Sequence, residues 1–137
     1  TCVVHATFAA RRLAEAQAAH PGAKVASHPE CPEEVLAKSD FVGSTSAIIE
    51  YCVKTPAAEF IVMTESGVSH SLRKLAPGKR FYFVPNEQCN CSECPYMKMN
   101  TMEKLRDALR DLKPRVEIPA ETMRRALIPL ERMLAVK

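Results

Sequence analysis

The chain has 137 residues, of which 47% are hydrophobic and 26% charged, and a formal net charge of +3. That length holds one modest domain with its own core, and the composition is that of a soluble globular protein. The slight, scattered positive charge and the lack of Trp argue against a nucleic-acid groove or base-stacking platform, no apolar run is long enough to cross a bilayer, and no secretory h-region is read in the first residues given.

The first predicted helix is capped by Thr7 and runs through Phe8, Leu13 and Ala16. It stops at His20-Pro21-Gly22, because Pro breaks the hydrogen-bond ladder and Gly accepts a turn. Lys24 to Ser27 reads as a short strand. After His28-Pro29-Glu30-Cys31, Pro32 suits the first turn of a helix, and Glu33 and Glu34 sit well at its positive end. Asp40 to Gly43 is the next strand, and Ser44-Thr45-Ser46 leads into a helix with Ile48, Ile49 and Cys52 on its apolar face.

The unit then repeats. Phe60-Ile61-Val62-Met63 is a buried strand, Thr64 to Gly67 a turn, Val68 to Leu75 a helix stopped by Pro77-Gly78, and Phe81 to Val84 a fourth strand. Strands alternating with helical segments imply right-handed crossovers. The expected class is α/β: a three-layer α/β/α domain over residues 1–94 with a mainly parallel four-stranded sheet. A C-terminal helical segment over 95–137 follows. There Asn100 and Glu103 form a capping pair for a helix bearing Met102, Leu105, Leu109 and Leu112, closed by Pro114. Pro119 opens a last helix bearing Met123, Leu127, Leu130 and Leu134, which Pro129 kinks. These Met and Leu stripes read as core or docking surface.

Chemistry concentrates at two places. Ligands of open parallel sheets bind beyond the carboxyl ends of the strands. His28 and Glu30, Ser44 to Ser46, and Thr64 to Ser66 all fall there. Hydroxyls and free N–H groups at a helix start suit phosphate or carboxylate oxygens, while Glu30 and His28 suit proton transfer. Alone, Ser44, Thr45 and Ser66 would be helix caps and Glu30 a dipole partner; their coincidence at one edge favours a site. His20 and His70 read as structural.

The second place is the cluster Cys89-Asn90-Cys91-Ser92-Glu93-Cys94, holding three of six cysteines. A chain this regular and without an export signal is expected to keep its thiols reduced. A structural zinc site needs four ligands, a redox dithiol needs one close pair, and an iron–sulfur centre matches the supply of thiolates. Spacing leaves zinc and iron–sulfur level. Cys31 and Cys52 read as small buried hydrophobes.

Taken together, Cys2-Val3-Val4-His5, His28-Pro29-Glu30-Cys31-Pro32, Phe41-Val42-Gly43-Ser44-Thr45-Ser46, Thr64-Glu65 and Cys94-Pro95-Tyr96-Met97-Lys98-Met99-Asn100-Thr101 occur in this order along practically the whole chain. In this the chain resembles the quinolinate synthase family. The resemblance implies three similar α/β/α domains around a pseudo-threefold axis, of which this is the third. It also implies a 4Fe-4S cluster held by one cysteine per domain, with Cys2 and Cys94 as two ligands and the third outside this chain. The implied reaction condenses iminoaspartate with dihydroxyacetone phosphate to quinolinate for de novo NAD biosynthesis, in the cytoplasm. His28, Glu30 and His5 would be catalytic, and His28, Glu30, Ser44 and Thr45 would bind substrate. Expected partners are the missing N-terminal domains, on which 95–137 would pack, and an L-aspartate-oxidising enzyme supplying iminoaspartate. Thr1 in place of Met implies a cut from something longer, and such a fragment is expected to be inactive alone. The competing expectation is a non-catalytic zinc or thiol-redox module using Cys89, Cys91 and Cys94.

Overall fold

The structure is a computed structural model and describes residues 2–87 and 91–136. Elements follow in the order α1 (Val3–Ala6), α2 (Ala10–Ala19), β1 (Lys24–Ser27), α3 (Glu33–Leu36), β2 (Phe41–Val42), α4 (Thr45–Lys54), β3 (Glu59–Met63), α5 (Ser69–Leu75), β4 (Arg80–Phe83), α6 (Pro95–Lys98), α7 (Met102–Asp111) and α8 (Ala120–Leu134). A single 3-10 turn, Ser66–Val68, precedes α5.

The four strands form one sheet in the order β2-β1-β3-β4, and every pairing is parallel. Alternation along the strands sends side chains to two cores. Val25, Ile61 and Met63 face one core with Val4, Phe8, Leu13 and Val35, from the α1, α2 and α3 side. Ala26, Phe60 and Val62 face the other with Ile48, Cys52, Val68 and Leu72, from the α4 and α5 side. This is the expected α/β class with helices on both faces of the sheet. Phe60, Ile61, Leu13 and Ile48 are fully buried, each contributing roughly 1.5–3 kcal/mol from lost apolar exposure.

Two helix caps fall elsewhere than the sequence reading places them, and several strand and helix ends shift by a residue. Thr7 does not start a helix: it follows α1 as its C-cap, and its hydroxyl donates to the carbonyls of Val3 and Val4 at 2.8 and 3.1 Å. The next helix begins at Ala10 without a side-chain cap; buried Phe8 and Leu13 anchor it instead. In the C-terminal part the cap is Thr101 rather than Asn100, its hydroxyl accepting the Lys104 N–H at 3.2 Å.

The chain divides into two compact units, the first ending at Met99 and the second beginning at Asn100. In the second unit α7 and α8 bury none of their described side chains. Leu105, Leu109, Leu127 and Leu130 are more than half exposed. The apolar stripes are therefore surface and not core, because two amphipathic helices of this length have no sheet of their own to cover. No helix among the described residues is long and apolar enough to cross a membrane.

Candidate active site

β1 and β3 pair in register with Ser27 beside Met63. Their continuations, His28-Pro29-Glu30 and Thr64-Glu65, therefore leave the sheet side by side, and the His28 N–H bonds the Met63 carbonyl at 3.1 Å. α1 lies against this edge through Val4, part of the same core as Val25 and Met63. That packing delivers His5 to the strand ends.

His5 is the hub. It is 6% exposed, with Nδ1 3.1 Å from Glu30 Oε2 and Nε2 2.9 Å from Thr64 Oγ1. An ionised carboxylate only accepts, so in the neutral imidazole Nδ1 carries the proton and Nε2 accepts from the Thr64 hydroxyl. His28 stacks on His5 with centroids 4.0 Å apart and planes 7° from parallel. The hydrogen bond from His5 holds the Glu30 carboxyl below its ordinary range. Burial lowers the proton affinity of His28, His5 lowers it further, and Glu30 partly offsets both. The arrangement pairs a carboxylate held in its ionised form with a histidine biased towards its neutral form.

Cys2 immediately precedes α1, and the Ala6 N–H bonds its carbonyl at 3.0 Å. Cys94 immediately precedes α6, where Pro95 occupies the first turn. Both cysteines are free thiols. Together with His5, Thr45, Thr64, Glu65 and Lys98 they line one cleft of about 370 Å³. Residues from the two ends of the first unit thus meet at the carboxyl edge of the sheet.

The other expected residues fall as follows. Thr45 lines the cleft. Ser44 caps α4, its hydroxyl oxygen accepting the Ala47 N–H at 3.3 Å. Cys31 donates to the Met63 carbonyl at 3.4 Å, and burial pushes its thiol up to about 11. Burial does the same for Cys52, also to about 11, so both remain protonated packing groups. Cys91 is disulfide-bonded; Cys89 lies outside the described residues.

Thr64 and Glu65 are expected at this edge from sequence but without a separate task, and Lys98 is not singled out there. Thr64 holds His5. Glu65 accepts the Cys94 N–H at 3.3 Å and lies 3.5 Å from the Lys98 ammonium. The signal for Lys98 is its place four residues after Cys94, one helical turn away.

The donor set suits a thiophilic centre. Two free thiols share a cleft, and one ligand atom each from Cys2, His5 and Glu30 lie within 4.8 Å of one another. Sulfur ligands select zinc, copper(I) or iron–sulfur clusters over hard cations. Cys2 and Cys94 are free thiols available to such a centre, whereas the disulfide-bonded Cys91 offers no thiolate.

Comparison with known proteins identifies the family. A family model described as Quinolinate synthetase A protein matches residues 1–135. The chain is 47% identical to a quinolinate synthase of Synechococcus sp., over 99% of this chain and 43% of that protein. It is 46% identical to one from Synechocystis sp., over 99% and 43%, and 46% identical to one from Prochlorococcus marinus, over 99% and 41%. The chain spans about two fifths of the length of these curated relatives.

Proposed function

The chain belongs to the quinolinate synthetase A family, and on that premise we propose that it supplies one α/β/α domain and the terminal helices of a cytoplasmic enzyme that condenses iminoaspartate with dihydroxyacetone phosphate to quinolinate. In this reading Cys2 and Cys94 would hold a 4Fe-4S cluster together with a thiolate from outside these residues. Such a cluster, when bound, would supply Lewis acidity to a substrate oxygen or nitrogen. The observation that carries the reading is the cleft shared by Cys2, Cys94 and His5.

The chain's own residues divide the remaining work. Glu30, kept ionised by His5, accepts a proton from substrate, and neutral His28 beside it donates or accepts a hydrogen bond as charge develops. His5 keeps Glu30 oriented from a buried position. Ser44 uses its oxygen to cap α4, which leaves its hydroxyl hydrogen for a carboxylate or phosphate. Thr45 stands at the same positive helix end. The exposed Leu105, Leu109, Leu127 and Leu130 support packing of residues 95–137 on an N-terminal domain, and an L-aspartate-oxidising enzyme is the expected source of iminoaspartate. With one cluster ligand supplied elsewhere, the chain by itself is inactive. The zinc or redox module is not favoured, because the family match runs over residues 1–135 and the similar proteins are quinolinate synthases.

The test is anaerobic reconstitution of this chain joined to the upstream portion found in its relatives. Iron and sulfide near about four each per polypeptide are expected, lost on Cys94→Ala and kept on Cys91→Ala or Cys89→Ala. Zinc as the only bound metal, lost equally with Cys91, overturns the reading.

A further inference from the structure

The central strand β3 ends in two adjacent side chains that grip the two cysteine-bearing segments, one each. β3 is bonded on both sides, by β1 and β4, and its residues from Phe60 to Met63 are fully buried. Paired on both sides and buried, it can serve as a reference for the segments beside it.

Thr64, 1% exposed, bonds His5 Nε2 at 2.9 Å. His5 sits inside α1, whose first turn is closed by the Ala6 N–H on the Cys2 carbonyl, so a displaced His5 carries Cys2 with it. Glu65 reaches the other segment. Its Oε1 accepts the Cys94 N–H at 3.3 Å and faces Lys98 Nζ at 3.5 Å, while Oε2 accepts the Gly67 N–H at 2.7 Å. A second tie, from the Ser66 N–H to the Ser92 carbonyl at 3.1 Å, holds the same segment. The Glu65 side chain is 12% exposed and meets only donors. A carboxylate answers all of them, whereas a carboxamide turns its NH2 towards one N–H and leaves that donor unmet.

From this geometry we infer that Thr64 and Glu65 are positioning residues that set the placement of Cys2 and Cys94 before any cluster arrives. The inference deepens the cluster reading above and rests on it. Preorganised ligands save the ordering entropy that loose segments lose on binding, and groups holding metal ligands typically change metal retention 10- to 100-fold. The two side chains act on different segments, so each is separately testable.

The experiment uses the reconstituted protein with its upstream portion, reading the rate of iron loss to a ferrous chelator and the electron paramagnetic resonance spectrum of the reduced cluster. Glu65→Gln and Thr64→Val are expected to release iron about 10-fold faster and to broaden the spectrum. Thr64→Ser, which keeps the hydroxyl, is expected to restore the wild-type rate. Glu59→Gln is the control for general loosening: it lies at the other end of β3, bonded to Tyr82 and Arg80. Wild-type rates in both Glu65→Gln and Thr64→Val overturn the inference and leave the cluster reading intact. Equally fast loss from Glu59→Gln or Thr64→Ser also overturns it. A wild-type protein holding no iron and sulfide removes the cluster reading and this inference together.

Discussion

Stacked imidazoles 4.0 Å apart, as in His5 and His28, cannot both be charged without strong repulsion. Burial favours neutral His28, and His5 adds to the effect. A histidine with a depressed folded pKa contributes stability that is complete above its ordinary 6.5 and is lost as pH falls through that value towards its folded midpoint. Proton NMR of the cluster-free protein is therefore expected to show His28 titrating below 6.5, with stability declining on acidification below that point; a midpoint above 6.5 contradicts the geometry. That His28 and Glu30 stand at this edge follows from sequence, because they succeed a strand directly. His5 was expected there only through the family resemblance, since its partners Glu30 and Thr64 lie 25 and 59 residues away.

Helix ends show where local rules suffice and where packing overrides them. The Ser44 cap and the stop at His20 agree with the sequence reading. Thr7 has the chemistry of an N-cap, yet it closes the preceding turn, because the core contacts of Val4 pull α1 into a short helix of its own. α4 ends on a partner no local pattern reveals: Lys79 Nζ donates to the carbonyls of Cys52, Val53 and Thr55 at 2.7, 3.1 and 2.5 Å and lies 5.3 Å from the Phe60 ring centroid. One ammonium thus answers three terminal carbonyls and the negative helix end. Lys79→Met is expected to cost about 1.5–3 kcal/mol in urea denaturation, the range for hydrogen bonds to a charged group. A change under a few tenths would show that water replaces the ammonium without loss.

At the scale of the whole molecule, among the described residues neither core of the first unit includes one beyond Cys94. The second unit carries the exposed Met and Leu stripes. A chain ending at Met99 is therefore expected to keep a cooperative thermal transition near that of the longer chain and to bind less of a hydrophobic fluorescent dye; loss of the transition would show that the helices stabilise the sheet. Periodicity and turn residues determined by themselves the alternation of strand and helix, because those signals are local and repeat within each segment. The supply of thiols, imidazoles and carboxylates was equally plain. Only the tertiary structure decided which of them meet. The order β2-β1-β3-β4 sets His28 beside Thr64, and packing of the two ends of the first unit over that edge brings Cys2 and Cys94 to one cleft while Cys31 and Cys52 stay buried. Convergence of that kind depends on contacts between distant segments, which no local pattern encodes.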